Sequence, residues 1–250
     1  MKLHYKCEFI ASAIYIIYNF IYKLVIKLLK MKEYNIQEQN VFIEILDLLK
    51  DNFYKPDLLG NFADPTRELI YLILSQRTRI SKVQSIIDNI NIDCIENTRE
   101  LIYSTGRGHV KYNTLHVLFS ELKNRYGRLE LPTFSGYSSP DIFNELISLP
   151  GIGYKVASCL MIYSYNRTGY FPVDSNIMRI LKRIGLIEQS LSDHHQIQKT
   201  LIHAIPPNLE KEIHVSLVIL GIEVCKPVKP ACNECPLDMI CKYGGKFEYS

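Results

Sequence analysis

Tryptophan is absent from this 250-residue chain, and neither sign of charge dominates: 29 Lys and Arg stand against 26 Asp and Glu, a net +3. So mild a basic balance lends only weak support to a nucleic-acid partner. A disordered chain is excluded, because apolar residues make up 47% and charged residues 22%. Long apolar runs are missing too. Residues 9–22 are mostly apolar, but Ser12 and Asn19 interrupt them and the stretch is shorter than the roughly 20 residues that span a bilayer. Ala11-Ser12-Ala13 looks like a cleavage site but precedes any adequate apolar region. Three readings of this apolar N-terminal extension, residues 1–31, stay open: a membrane-surface helix, a weak signal anchor, or translated leader ahead of a start at Met31. The third is preferred, since recognisable pattern begins only after Met31.

A disulfide framework is also lacking. The seven cysteines are odd in number and there is no clear secretory context. If the source is prokaryotic, the chain is expected in the cytoplasm, associated with the nucleoid; a membrane tether through residues 9–29 is the less favoured alternative. Cys7, Cys94 and Cys159 are scattered and read as small apolar side chains or free thiols. Cys225, Cys232, Cys235 and Cys241 instead crowd together as Cys-x6-Cys-x2-Cys-x5-Cys. Four soft thiolates so spaced can hold either tetrahedral zinc or a [4Fe–4S] cluster, and spacing alone leaves the two nearly equal.

No sustained two-residue alternation occurs, which argues against a β fold, and there is no internal repeat or long linker. The pattern is helical instead: Val41, Ile45 and Leu48-Leu49 form one apolar face. Asp64-Pro65 opens a second helix, Asp as N-cap and Pro at the first position, carrying Leu69, Leu72 and Ile73 to an end at Ser75-Gln76-Arg77-Thr78. Further helices are expected over 82–90, 98–104, 111–125, 141–148, 154–165, 175–184, 195–204 and 209–220, with a loop over 131–140.

Two of these helices are joined by Leu149-Pro150-Gly151-Ile152-Gly153, a helix–hairpin–helix unit. Its glycines leave amide N–H groups free at a helix start, where the dipole favours a phosphate. A bland αα-hairpin is the alternative. Lys155 sits in the first turn that follows, where the dipole should lower its pKa and ready the amine to attack a sugar carbon as a Schiff-base nucleophile. Most surface lysines, however, are merely solvated or meet phosphates. Nineteen residues on, Asp174 precedes an apolar-periodic helix. It can serve as the N-cap, as a carboxylate that stabilises positive charge on a sugar, or as both.

At this point the chain resembles the endonuclease III branch of the helix–hairpin–helix DNA glycosylase superfamily, from about residue 64 to residue 243. Leu149 to Lys155 looks like the family hairpin with its catalytic lysine, and Val173-Asp174 like its catalytic aspartate. Ile73-Leu74-Ser75-Gln76-Arg77-Thr78 resembles the segment whose glutamine enters the DNA stack, and residues 106–111 the second intercalating loop, with Arg107, His109 and Lys111 as DNA contacts. The resemblance implies an all-α fold of two helical lobes with a DNA-binding cleft between them and a C-terminal [4Fe–4S] loop. It also implies a monovalent cation at the hairpin amides of Gly151 and Gly153. Residues 57–170 would form a helical barrel domain, and 32–56 plus 171–250 an iron–sulfur domain. Lys226 and Lys229, between the first two cysteines, would meet phosphates or simply add solubilising charge.

The implied activity is a glycosylase and AP lyase of base-excision repair. Its partner would be duplex DNA with oxidised pyrimidines or abasic sites, and the enzyme a monomer with no obligate protein partner. Departures cloud the substrate: Ser175-Asn176 replaces Thr-His, Leu220-Gly221-Ile222 replaces His-Gly-Arg, and Arg107-Gly108-His109 replaces an apolar wedge. Asn176 looks more like the mismatch and adenine branches. The adenine branch has a glutamate near Leu72 and no lysine at Lys155, so a mismatch thymine or uracil glycosylase is the runner-up. A non-catalytic DNA-binding module of the same fold is the rival from another class.

Overall fold

The structure is a computed structural model that describes residues 40–244. The N-terminal extension, with its three readings and the tether over 9–29, lies outside the described residues. Among those described, no helix is long and apolar enough to cross a membrane.

The described residues form ten α-helices and no strand. They are α1 (40–53), α2 (Pro65–Ser75), α3 (Ile80–Ile87), α4 (Arg99–Tyr103), α5 (Gly108–Tyr126), α6 (Ser139–Ser148), α7 (Tyr154–Tyr163), α8 (Ser175–Ile184), α9 (His194–Ala204) and α10 (Glu210–Glu223). Local chemistry sets several of these boundaries. The Asp64 carboxylate accepts from Thr66 N at 2.9 Å and Pro65 opens α2, satisfying a donor that the helix cannot. Gly127 and Gly185, both left-handed, end α5 and α8.

Most expected helices are present with ends moved by one to three residues. The loop expected through residue 140 stops sooner. Ser138 caps α6 by accepting from Asp141 N, and Pro140 falls inside the first turn, where its missing N–H costs nothing. The stretch expected as one helix over 98–104 is a 3-10 turn (Ile95–Thr98) running into α4.

α7 is buried from Val156 to Tyr163 and α10 from Ile213 to Gly221, so both lie inside the protein and show little amphipathic stripe. α7 packs against α2, α6 and α10, while α8 packs on α10 and α4 on α5. Phe42, Ile45 and Leu49 of α1 join the same core, and Lys55 pairs with Glu223 at 2.8 Å to tie the end of α1 to the end of α10. The C-terminus of α2 and the N-termini of α7 and α8 thereby open on one concavity.

Candidate active site

That concavity is a cleft of about 550 Å³. Lys155, Asp174 and Gln76 all line it, together with Cys159, Tyr163 and His214. The two residues singled out for chemistry thus face one space. Each is set there by the start of a helix.

Asp174 is the N-cap of α8: its Oδ1 accepts from Asn176 N at 2.8 Å and Ile177 N at 2.9 Å. Its other oxygen has only a long contact, at 3.4 Å, from Asn176 Nδ2. One carboxylate therefore caps a helix with one oxygen and keeps the other for the cleft. Capping and facing the site coexist in it.

Lys155 corrects one expectation. The helix dipole was to lower its pKa, but it is raised: burial pushes it down, and Cys159, Asp174 and Glu68 together push it up by more. The ammonium is among closely packed groups although the residue keeps intermediate exposure. Burial holds the Cys159 thiol up at about 12, against the pull of the ammonium.

Gln76 is the C-cap of α2 and exposed. Beside it the two loops expected to enter DNA are stitched together. Gly106 N donates to Thr78 Oγ1 at 3.1 Å, and a side chain at residue 106 would strike Arg77 O at 2.3 Å. Arg107 and His109 are exposed on this rim, the His109 ring lying 3.9 Å from that of Tyr103. Lys111 is a second correction. Instead of reaching DNA it is 4% exposed, and its ammonium donates to Leu74 O at 2.7 Å and Thr78 Oγ1 at 2.6 Å. It fastens α5 to the end of α2.

Gly151 and Gly153 are exposed at the hairpin. Gly151 has φ +81, and a Cβ there would stand 2.3 Å from Thr114 Cγ2 on α5, so the turn needs glycine on both counts. Gly153 N-caps α7 without a side chain. Lys226 and Lys229 are exposed and do not border the cleft.

Cys225, Cys232, Cys235 and Cys241 line one small pocket with Arg183 and Val224. Arg183 Nη1 donates to Cys225 Sγ at 3.2 Å and to Lys226 O at 2.8 Å. A Cβ at Gly244 would meet Cys232 Sγ at 2.6 Å, so backbone closes that side. Among the described residues, no three or more His, Cys, Asp or Glu side chains are drawn together to hold a metal ion.

The sequence reading missed three groups around the cleft. Glu68 interrupts the apolar face of α2, Cys159 stands four residues after Lys155, and His214 breaks the apolar run of α10. The His214 ring is 3% exposed, bonded at 2.5 Å to Tyr163 OH, and held neutral with its pKa down at about 3 by burial.

No protein-family model matches the chain. Endonuclease III of Thermotoga maritima is 27% identical over 184 residues, which are 72% of this chain and 84% of that protein. Two solved structures share the fold. A thermostable thymine-DNA glycosylase superposes with TM-score 0.68 and 21% identity, over 83% of this chain and 96% of that one. An endonuclease III–DNA complex gives TM-score 0.67 and 22% identity, over 84% and 96%.

The chain is similar in sequence to endonuclease III and has the helical fold of the endonuclease III and thymine-DNA glycosylase structures. The cleft is walled by the starts of α7 and α8 and by the C-terminal end of α2.

Proposed function

We propose that this chain is a DNA glycosylase that removes damaged, oxidised pyrimidines from duplex DNA and then cleaves the strand as an AP lyase. The observation that carries the reading is Lys155 and Asp174 lining one cleft. The Lys155 amine, once neutral, gives its lone pair to the sugar C1′ while the C1′–N bond to the base breaks, the base leaving with that pair and taking up a proton. The anionic Asp174 opposes the positive charge that develops on the sugar. Ring opening yields an imine on Nζ, and loss of a C2′ proton expels the 3′ phosphate. Gln76 fills the gap in the stack, with Arg107 and His109 on the same rim. Gly151 and Gly153 anchor the backbone through their amides, with a monovalent cation between, and Lys226 and Lys229 meet phosphates. The division into a barrel domain, 57–170, and a second domain, 32–56 plus 171–250, belongs to this reading, as does action as a monomer.

Cys225, Cys232, Cys235 and Cys241 would hold a [4Fe–4S] cluster, whose contribution is to fix a loop with little core of its own. Zinc would need four sulfurs at about 2.3 Å from one ion. The four thiols border one pocket, as ligands of a single group would.

Borohydride reduction during reaction with an abasic duplex tests the lyase. A covalent adduct is expected from the wild type and none from Lys155→Ala; an undiminished adduct in that variant defeats the reading. Asn176 in the cleft wall favours a mismatch thymine or uracil enzyme as the second reading. Duplexes holding an oxidised pyrimidine or a T:G mismatch decide between them, and tight binding with no excision of either points to a non-catalytic module.

A further inference from the structure

Lys155 is of no use as a nucleophile until its ammonium loses a proton, and its surroundings make that harder, since its pKa is raised. Asp174 is a poor acceptor for that proton. Its Oδ1 is committed to two capping amides, and a proton on the freer Oδ2 would cancel the charge needed opposite the sugar.

Glu68 lies one turn before Leu72 on α2, hence on the same face of that helix. Leu72 and its neighbour Tyr71 line the cleft, as do Lys155 and Cys159 of α7, against which α2 packs. Glu68 itself is 0% exposed. Its Oε2 accepts from Phe62 N at 2.8 Å, whereas the buried Oε1 has no hydrogen-bond partner among the described residues.

The surrounding backbone is shaped to this carboxylate. Gly60 has φ +87, and a Cβ there would stand 2.9 Å from Glu68 Oε2 and 2.6 Å from the Tyr71 ring. Phe62 O in turn accepts from Ser164 Oγ at 2.8 Å, tying the same loop to the end of α7. A glutamine could accept from the Phe62 amide equally well. What it could not do is take up a proton, and burying an acid with an unpartnered oxygen is costly.

We propose that Glu68 is a positioning residue for Lys155, accepting on its free Oε1 the proton that the ammonium must give up. In this step an N–H bond of the ammonium breaks, an O–H bond forms on Glu68, and the amine keeps the lone pair it needs for C1′. No hydrogen bond or ion pair joins the two groups as they stand, so the transfer needs the Lys155 ammonium to swing toward Oε1; it leaves both groups neutral. The inference rests on Lys155 being the nucleophile. Burial supports it by raising the Glu68 pKa to about 7, while the Phe62 amide, Lys155, the Asn61 amide and Lys211 pull the other way.

The test is the pH dependence of single-turnover borohydride trapping on a saturating abasic duplex, from about pH 5.5 to about pH 9. With Glu68 as internal acceptor, the wild-type rate rises to an inflection near pH 7 and then levels off. Glu68→Gln must release the Lys155 proton to solvent. Its rate should lack the inflection, lie about tenfold or more below wild type at pH 7, and climb about tenfold per pH unit toward the alkaline end. Glu68→Asp, which keeps a carboxylate, should restore part of the inflection.

Four results overturn the proposal: a Glu68→Gln profile of unchanged shape, a loss uniform at every pH, a rate at pH 7 equal to or above wild type, or a wild-type profile with no inflection near neutrality. The last needs no variant to fold. A wild type that binds the duplex yet never traps it removes the nucleophile reading instead, and so is told apart.

Discussion

Glu68 carries a thermodynamic cost that can be measured apart from catalysis. Its folded pKa, about 7, lies above the ordinary 4.5. The native state thus binds a proton more tightly than the unfolded chain, and this advantage is complete below pH 4.5 and lost as pH rises through 7. Over that window the group should withdraw about 3 kcal/mol of stability. Glu68→Gln is therefore expected to raise the thermal midpoint at pH 8 and to flatten its fall between pH 5 and pH 8; calorimetry across that range checks both. Gain in stability with loss of neutral-pH trapping would be the usual trade at a functional site. Gly151→Ala should act in the other direction. With φ +81 and Thr114 Cγ2 at 2.3 Å from the added carbon, it should cost about 1–3 kcal/mol in urea unfolding and weaken duplex binding together with it.

At the scale of elements, the cleft depends on how helix ends are joined. α2 and α5 meet through the Lys111 ammonium, buried among Leu74 O, Thr78 Oγ1 and Thr105 Oγ1. Lys111→Met leaves these acceptors unpaired, and about 2–4 kcal/mol of stability should be lost. Because the side chain reaches no phosphate, the salt dependence of DNA affinity should keep its slope. Lys226→Ala or Lys229→Ala, on exposed positions, should instead lower that slope by up to about 0.9 each. Titrations at several salt concentrations separate the two cases, and a reduced slope in Lys111→Met would reinstate it as a DNA contact. Helix caps were legible here in advance: Asp64 and Asp174 precede apolar-periodic runs and do cap α2 and α8. Lys111 was not legible. Its depth follows from α4 and α5 folding back on the end of α2, which no local pattern encodes.

Across the whole molecule, the loop of four cysteines is joined to the cleft by α8. Asp174 caps its start, while Arg179 Nε donates to Cys225 O at 2.9 Å and Arg183 Nη2 donates to Pro227 O at 3.1 Å further along it. Loss of the proposed cluster should loosen this anchorage rather than abolish the fold, since Leu237 is the one residue of the 225–241 loop that is fully buried in the core. Iron chelation or Cys235→Ser is expected to bleach the visible absorbance of the protein and to make residues near 225–241 protease-sensitive. Weaker DNA binding should accompany it, with helical circular dichroism largely kept. Complete loss of helicity would instead make the cluster a condition of folding.

By itself the sequence determined the helical class, the hairpin, the capping aspartates and the four-cysteine set. Each is written in contiguous residues, as period, turn glycines, cap chemistry or thiol spacing. Tertiary packing alone decided that Lys155 and Asp174 line one cleft, that the Lys155 pKa is raised rather than lowered, and that Lys111 is buried. These depend on field and desolvation between helices distant in sequence, and burial can reverse the sign that a helix dipole alone would set.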